Sequence, residues 1–365
     1  MPDSNSTILK ISLMCQGARS PPDIDKGRTG GAGPAGGRFI LLEDTVTPAT
    51  NVPFQGRFIE ESPFNIENTG GQYQLFYNEK LMARIQMIEK PAFLNDVISG
   101  CIPVWKIASI HGSDGLGITV NKYCHYWRDE RQCKFCAIEQ NIKSHNGEKL
   151  GVKTPQQVAQ AAQAAVKAGF CRHLTLTMGT TDKLDRGAGQ YIPILRELKK
   201  TVDVPIHVQT EPPKEMEVLG KLYEEGADTI GIHIESLDEK IKKQVCPGKA
   251  PSKEYFKAWK YAEDVFGQDQ VSTFILIGLG EDLKLTGKML EEVVSTGVTP
   301  FIVPFRPLPG TDLEDRAPPK VNDVLEITQK AAASLQNNGM KPQRNKAGCV
   351  RCGACSAIRE SLRDL

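Results

Sequence analysis

Residues 116–136 read "LGITVNKYCHYWRDERQCKFC", a short apolar run, Leu116–Val120, feeding a loop that carries Cys124, Cys133 and Cys136. The run is short and rich in β-branched residues, so it reads as a strand. Eight residues separate the first two cysteines and two separate the last pair. Downstream the pattern of strand, loop and amphipathic helix repeats. Strands are expected at "HLTLTM" (173–178), "VPIHVQ" (204–209), "TIGIHI" (229–234), "VSTFILIG" (271–278) and "PFIVPF" (300–305). Helices are expected near 189–201, 214–226, 252–266, 281–296 and 321–338, and the clearest is "TPQQVAQAAQAAVKAGF" from Thr154. There Thr154 is the N-cap, Pro155 sits at the first helical position, Gln157 closes a capping box and Gly169 ends the helix.

Strands this apolar, interleaved this regularly with helices, predict a parallel sheet covered by helices. Six such units fit either a partial barrel or a doubly wound sheet, and in both the loops after the strands carry the chemistry. The three-cysteine loop falls at such a position.

The flanks differ in character. Residues 1–115 are irregular and then β-rich. "GRTGGAGPAGGRF" contains a GxGxxG at Gly31, Gly33 and Gly36, but no strand feeds it, Pro34 interrupts it and no helix follows, so it reads as a loop. "QYQLFYNEKLMARIQMI" reads as a hairpin about its Asn-Glu-Lys turn. Near the C-terminus "AGCVRCGACSAI" gives Cys349, Cys352 and Cys355, a CxxCxxC run.

A chain of 365 residues buries a sizeable core without disulfides. Its formal net charge of +1, spread along the chain, gives no electrostatic case for nucleic acid or a membrane surface as partner. The first twenty residues lack a secretory signal, and no run approaches the roughly 20 apolar residues of a membrane span, so a cytoplasmic protein is expected. In a reducing compartment the clustered cysteines, six of the ten, read as ligands or catalytic thiols. Zinc on the first cluster would take His125 as fourth ligand, an awkward arrangement beside Cys124. For the second cluster a zinc knuckle lacks a nearby histidine, so a second iron-sulfur cluster is preferred, its fourth ligand open among Cys15, Cys101, Cys246 and Ser356 or left vacant.

A strand followed by three cysteines, with the aromatic Phe135 before the last in "CKFC", resembles the cluster loop of the radical S-adenosylmethionine superfamily. The usual spacing there is three residues and then two. The resemblance implies a [4Fe-4S] cluster on Cys124, Cys133 and Cys136, with S-adenosylmethionine on the fourth iron. It extends to the biotin and lipoyl synthases. "TMGTTD", with Gly179, Thr180, Thr181 and Asp182, stands where those enzymes carry a Gly-Gly-Glu motif that meets the methionine amino group. "GIHIES" puts His233 and Glu235 on one face by strand alternation, Glu235 facing the ribose hydroxyls. "FILIGLGED", with Ile277 and Gly278, is similar to the stretch near the adenine, and "PFRPLPGTDLED" supplies Arg306. The wide cysteine gap and the tail look most like an uncharacterised set of radical proteins encoded beside nitrilases.

Found in order at successive strand ends, these motifs favour an α/β fold with a partial (β/α)6 TIM-type barrel. The expected organisation is a small N-terminal β-rich region (1–115), the barrel core (116–315) and a C-terminal helix with a cysteine-cluster tail (316–365). The implied activity is reductive cleavage of S-adenosylmethionine to a 5′-deoxyadenosyl radical that abstracts hydrogen from an unactivated C–H bond. The implied partners are a small-molecule or carrier-bound substrate and a flavodoxin or ferredoxin-type electron donor. In lipoyl synthase an auxiliary cluster is the sulfur source, which makes sulfur insertion a further hypothesis. Yet lipoyl synthase carries its auxiliary cysteines before the barrel, and biotin synthase carries its own on strands where this chain has Ser272. His207, Gln209, Glu211, Arg306 and Arg344 are candidate polar contacts to substrate, and Tyr126 and Trp127 candidate shields of the cluster. A zinc-dependent barrel hydrolase and a non-catalytic iron-sulfur protein are the alternatives.

Overall fold

The computed structural model describes residues 6–28, 30, 33, 35–43, 49–140 and 150–365. Gly31 and Pro34 of the glycine-rich stretch lie outside the described residues. After a helix at Ser6–Gln16 come the strands β1 (Gly37–Leu42), β2 (Thr50–Pro53), β3 (Phe64–Thr69), β4 (Gln72–Tyr77) and β5 (Lys80–Met87). They form an antiparallel sheet in the order β2-β1-β5-β4-β3. The expected hairpin is β4–β5. Its two-residue turn, Asn78 and Glu79, has φ of 44° and 66°, the left-handed pair that matches strand twist. A small ribbon, β6 (Val97–Ile98) and β7 (Ile102–Pro103), follows.

The second large sheet holds β8 (Ser109–His111), β9 (Gly115–Asn121), β10 (His173–Met178), β11 (Ile206–Thr210), β12 (Thr229–Ile232), β13 (Val271–Ile277) and β14 (Val298–Pro304). Its spatial order is the sequence order reversed, β14 through β8, and every pair from β9 onward is parallel. A doubly wound sheet requires the strand order to reverse direction partway. Here it never does, so right-handed crossovers put the crossover helices on one face and curl the sheet around the other. The fold is a partial (β/α)6 TIM-type barrel, with β8 as an antiparallel edge strand that alternation alone did not reveal.

The helices follow the expected places, at Pro155–Lys167, Tyr191–Thr201, Glu217–Glu224, Ser252–Phe266, Leu283–Ser295 and Val321–Asn337. At the first, the Gln157 backbone N–H donates to Thr154 Oγ1 (3.2 Å) and the Thr154 N–H donates to the Gln157 side-chain oxygen (2.9 Å). That capping box satisfies two groups the helix leaves orphaned. Outside the sheet, Val158, Ala162, Leu195, Trp259, Leu290 and Ile327 belong to one continuous aliphatic core with the outward strand residues.

The concave face is polar at its N-terminal end, and the tail covers it. Gly348 N–H donates to His173 Nδ1 (3.2 Å), Thr229 Oγ1 donates to the Ala347 carbonyl (3.3 Å), and Gln209 Nε2 lies 3.7 Å from Cys349 Sγ. Residues 347–355 therefore return into the barrel.

Candidate functional site

The cysteine loop leaves β9 and crosses the mouth of the barrel. Its start is pinned by two backbone donors, Cys124 N–H to Glu139 Oε1 (3.2 Å) and His125 N–H to the Thr180 carbonyl (2.7 Å). Gly179 is what allows this. A Cβ there would overlap the Tyr123 carbonyl oxygen and sit 2.9 Å from the Cys124 Cα, so position 179 tolerates no side chain. Cys136 N–H closes a turn on the Cys133 carbonyl (2.9 Å), and Phe135 packs with Cys133, Val245, Cys246, Leu279 and Phe305. The loop thus reaches the ends of β13 and β14.

Burial pushes the Cys124 thiol up to about 11, with the neighbouring Cys133 adding to it. Burial and the Cys133 and Cys124 thiols push Cys136 up as well. Thiols crowded this way favour a cation that neutralises them together. Among the described residues no three His, Cys, Asp or Glu side chains gather round a single ion position; a polynuclear cluster spreads its ligands more widely than one ion does.

The next strand ends surround this loop. After β10, Thr181 Oγ1 is buried without a partner, while Asp182 is exposed. After β11, Glu211 Oε2 accepts from the Tyr126 hydroxyl (2.7 Å), Oε1 is buried without a partner, and burial raises the carboxyl above its usual range.

At β12 the strand alternation expected for "GIHIES" does not hold. Pairing with β13 runs Ile230 to Val271 and Gly231 to Ser272, then resumes one residue out of step with Glu235 opposite Ile275. Side chains replace the lost ladder groups: Phe274 N–H donates to His233 Nδ1 (3.1 Å) and Ile234 N–H donates to Thr273 Oγ1 (3.0 Å). The His233 ring stacks flat on Phe274, centroids 3.7 Å apart, leaving Nε2 buried without a partner. Glu235 emerges at φ 69°, a conformation rare for a residue with a side chain and concentrated at functional sites.

Sequence reasoning missed Lys249. Its ammonium donates to Glu235 Oε1 (2.7 Å) and to the His233 carbonyl (2.9 Å). Burial works against that charge, but Glu235, with Tyr255, Cys133 and Glu211 adding to it, outweighs burial and holds Lys249 well above the usual lysine range. The segment before it docks on the cysteine loop, where Lys134 N–H donates to the Val245 carbonyl (2.8 Å). Nothing in the spacing of "CPGKAPS" signals this.

At the end of β13, Gly278 N–H and Leu279 N–H both donate to the Glu281 carboxylate (2.8 Å each). Ile277 and Gly278 line a hollow with Arg316 and Pro319. Arg306 is a correction to the sequence reading. Its guanidinium donates to the carbonyls of Ala35 (2.8 Å) and Asn51 (3.3 Å), tying the N-terminal region to β14 instead of facing the mouth. Arg344 is exposed.

At the closed end, Cys349 and Cys352 lie on a short helix, Gly348–Cys352, with Cys355 just beyond. Cys352 and Cys355 pack with Ala49, Ile88, Ile110 and Ala354. Burial, with the Cys355 thiol adding, pushes Cys352 up to about 12. Cations ring the group. Lys10 Nζ donates to the Gly353 carbonyl (2.8 Å) and to Glu360 (2.9 Å), and Arg28 and Arg306 lie within electrostatic reach of Cys355.

Residues 130–301 match the family model of the Radical SAM superfamily. The match takes in Cys133 and Cys136 and begins after Cys124. The chain is similar to bacteriochlorophyllide c C-7(1)-hydroxylase of Chlorobaculum limnaeum, 22% identical, over 89% of this chain and 83% of that protein. Among solved structures it is similar to methylornithine synthase, with 19% identity, 61% of this chain, 60% of that one and a TM-score of 0.47. It is also similar to HydG, a maturase of the [FeFe]-hydrogenase, with 18% identity, 60% of this chain, 48% of that one and a TM-score of 0.45. It spans less than two thirds of the length of these two solved relatives. No described helix is long and apolar enough to cross a membrane.

Proposed function

We propose that this protein cleaves S-adenosylmethionine reductively and removes hydrogen from an unactivated C–H bond of a small-molecule or carrier-bound substrate at the barrel mouth. One observation carries the reading. Thr181 Oγ1 and Glu211 Oε1, just past two successive strands beside the cysteine loop, are buried and unpartnered, as is His233 Nε2 deeper in the barrel. Unpaired burial costs about 1–3 kcal/mol per group, so such a set suits a site completed by a polar ligand.

Cys124, Cys133 and Cys136 would hold a [4Fe-4S] cluster, which would supply the one-electron reducing power, drawn from a flavodoxin or ferredoxin-type donor, that cleavage of S-adenosylmethionine needs. The chain's own residues bind and enclose. Glu235, fixed by Lys249, accepts from the ribose hydroxyls. The Thr181 hydroxyl and the backbone at Gly179 and Thr180 face the methionine end. Glu211, its carboxyl raised by burial and held by Tyr126, offers Oε1 to substrate. Phe135 and its apolar neighbours exclude water from the thiols.

Anaerobic incubation with dithionite and S-adenosylmethionine should yield 5′-deoxyadenosine in the native protein and none in Cys133→Ala. Formation persisting when Cys124, Cys133 and Cys136 are all replaced would sink the reading.

A second cluster on Cys349, Cys352 and Cys355 supports sulfur insertion as the step after abstraction. The observation favouring it is Gln209, which lies 3.7 Å from Cys349 Sγ and is on β11, two residues before Glu211 just past that strand's end. The relative named as a hydroxylase sets oxygen insertion beside it, and product mass separates added sulfur from added oxygen.

A further inference from the structure

We infer that His111 is the fourth protein ligand of the tail cluster, making a Cys3His site of Cys349, Cys352, Cys355 and His111; this rests on reading the tail as an iron-sulfur site. His111 Nε2 lies 3.6 Å from Cys349 Sγ. The other ring nitrogen, Nδ1, is 3.1 Å from Thr175 Oγ1 on β10, so the hydroxyl fixes the ring and leaves Nε2 toward the sulfur. Ligating imidazoles are commonly oriented in this way by a partner on the far nitrogen.

The turn that carries His111 is built onto the tail. A Cβ at Gly112, which has φ +66°, would overlap Cys352 Sγ, so only glycine lets the turn lie against that thiol. Two residues on, Asp114 receives both guanidinium nitrogens of Arg351 at 3.0 and 2.9 Å, and Arg351 sits between Cys349 and Cys352 in the chain. One four-residue turn therefore meets the tail at Cys349, Cys352 and Arg351.

The other donors are placed elsewhere. Cys101 is exposed, Cys246 packs beside Cys133 at the mouth, Cys15 belongs to the outer aliphatic core, and Cys171 Sγ donates to the His173 carbonyl at 3.3 Å. The remaining rivals are Ser356 Oγ, His173 Nε2 and His207 Nε2, each buried without a hydrogen-bond partner; coupling that survives in the His111 variants would point to one of the two histidines.

The test uses the full chain with Cys124, Cys133 and Cys136 replaced by alanine, reconstituted anaerobically with iron and sulfide, so that only the tail site can load. Iron content and pulsed electron paramagnetic resonance of the reduced cluster, with ¹⁵N-labelled histidine, are the readouts. We expect about four irons per chain and a strongly coupled histidine nitrogen. That coupling should vanish in His111→Ala and in His111→Cys, the latter keeping its iron and shifting to a more negative potential, as exchange of imidazole for thiolate requires. Ser356→Ala should leave the coupling unchanged. Coupling absent from the parent, surviving in both His111 variants, or lost in Ser356→Ala overturns the assignment of His111 alone. No iron, or zinc in its place, overturns the tail cluster itself.

Discussion

The two ends of the barrel each gather three cysteines with a CxxC spacing, and they are built oppositely. At the mouth, the thiols share their surroundings with buried polar atoms that have no partner, with a carboxylate in strained backbone and with a lysine held beside it. At the closed end, the thiols sit among apolar side chains and fixed cations, under a turn whose groups are matched to them. Equal ligand counts therefore do not mean equal roles. Both ends hold buried polar atoms without a hydrogen-bond partner, Thr181 Oγ1 and Glu211 Oε1 at the mouth and Ser356 Oγ, His173 Nε2 and His207 Nε2 near the tail. Only the mouth adds a carboxylate in strained backbone, and only the tail lies under a turn that meets its thiols directly.

The largest expected effect separates the two directly. Replacing either cysteine set should lower iron from about eight to about four per chain, but only the mouth set should abolish 5′-deoxyadenosine. If the tail variants also stop its formation, the division of roles fails. Next is Lys249→Met, which leaves Glu235 charged and nearly buried. A loss of about 3–5 kcal/mol in denaturant unfolding is expected, with partial recovery in Lys249→Met/Glu235→Gln. A loss below 1 kcal/mol would show that the pair is not a structural unit of the mouth.

Gly179→Ala forces the cysteine loop off its seat. It should slow 5′-deoxyadenosine formation by roughly 100-fold, the scale of a misplacement of about 1 Å at a reacting centre. The tail cluster's spectrum should not change. The smallest effect concerns the histidines between the ends. Burial holds His207 down to about 3 and His233 well below its usual value. Both folded values lie below the unfolded one near 6.5, so between them the unfolded chain binds more protons. Stability is then complete above about pH 6.5 and is lost as pH falls, by up to about 1.4 kcal/mol per pH unit for each histidine. Urea midpoints at pH 7 and 5.5 check the sign, and a midpoint that rises on acidification contradicts it.

What was legible in the chain was local. Apolar β-branched runs marked the six parallel strands to within about two residues at each end, because burial on both faces leaves no alternation to misread. Thr154, Pro155 and Gln157 marked a helix start because capping is settled within one turn. "GIHIES" misled because a bulge hands the ladder's hydrogen bonds to His233 and Thr273, and alternation cannot report a register shift set by the neighbouring strand. Arg306 misled because its partners, Ala35 and Asn51, come from a separate sheet.

By itself the sequence determined the sheet, its helical cover and the two sets of three thiols, since each depends on residue types within a few positions of one another. Tertiary structure alone decided which end is open, that Lys249 holds Glu235, and that His111 meets Cys349 across 238 residues of chain. Those contacts depend on how the strands curl and where the tail returns, and no local preference encodes either.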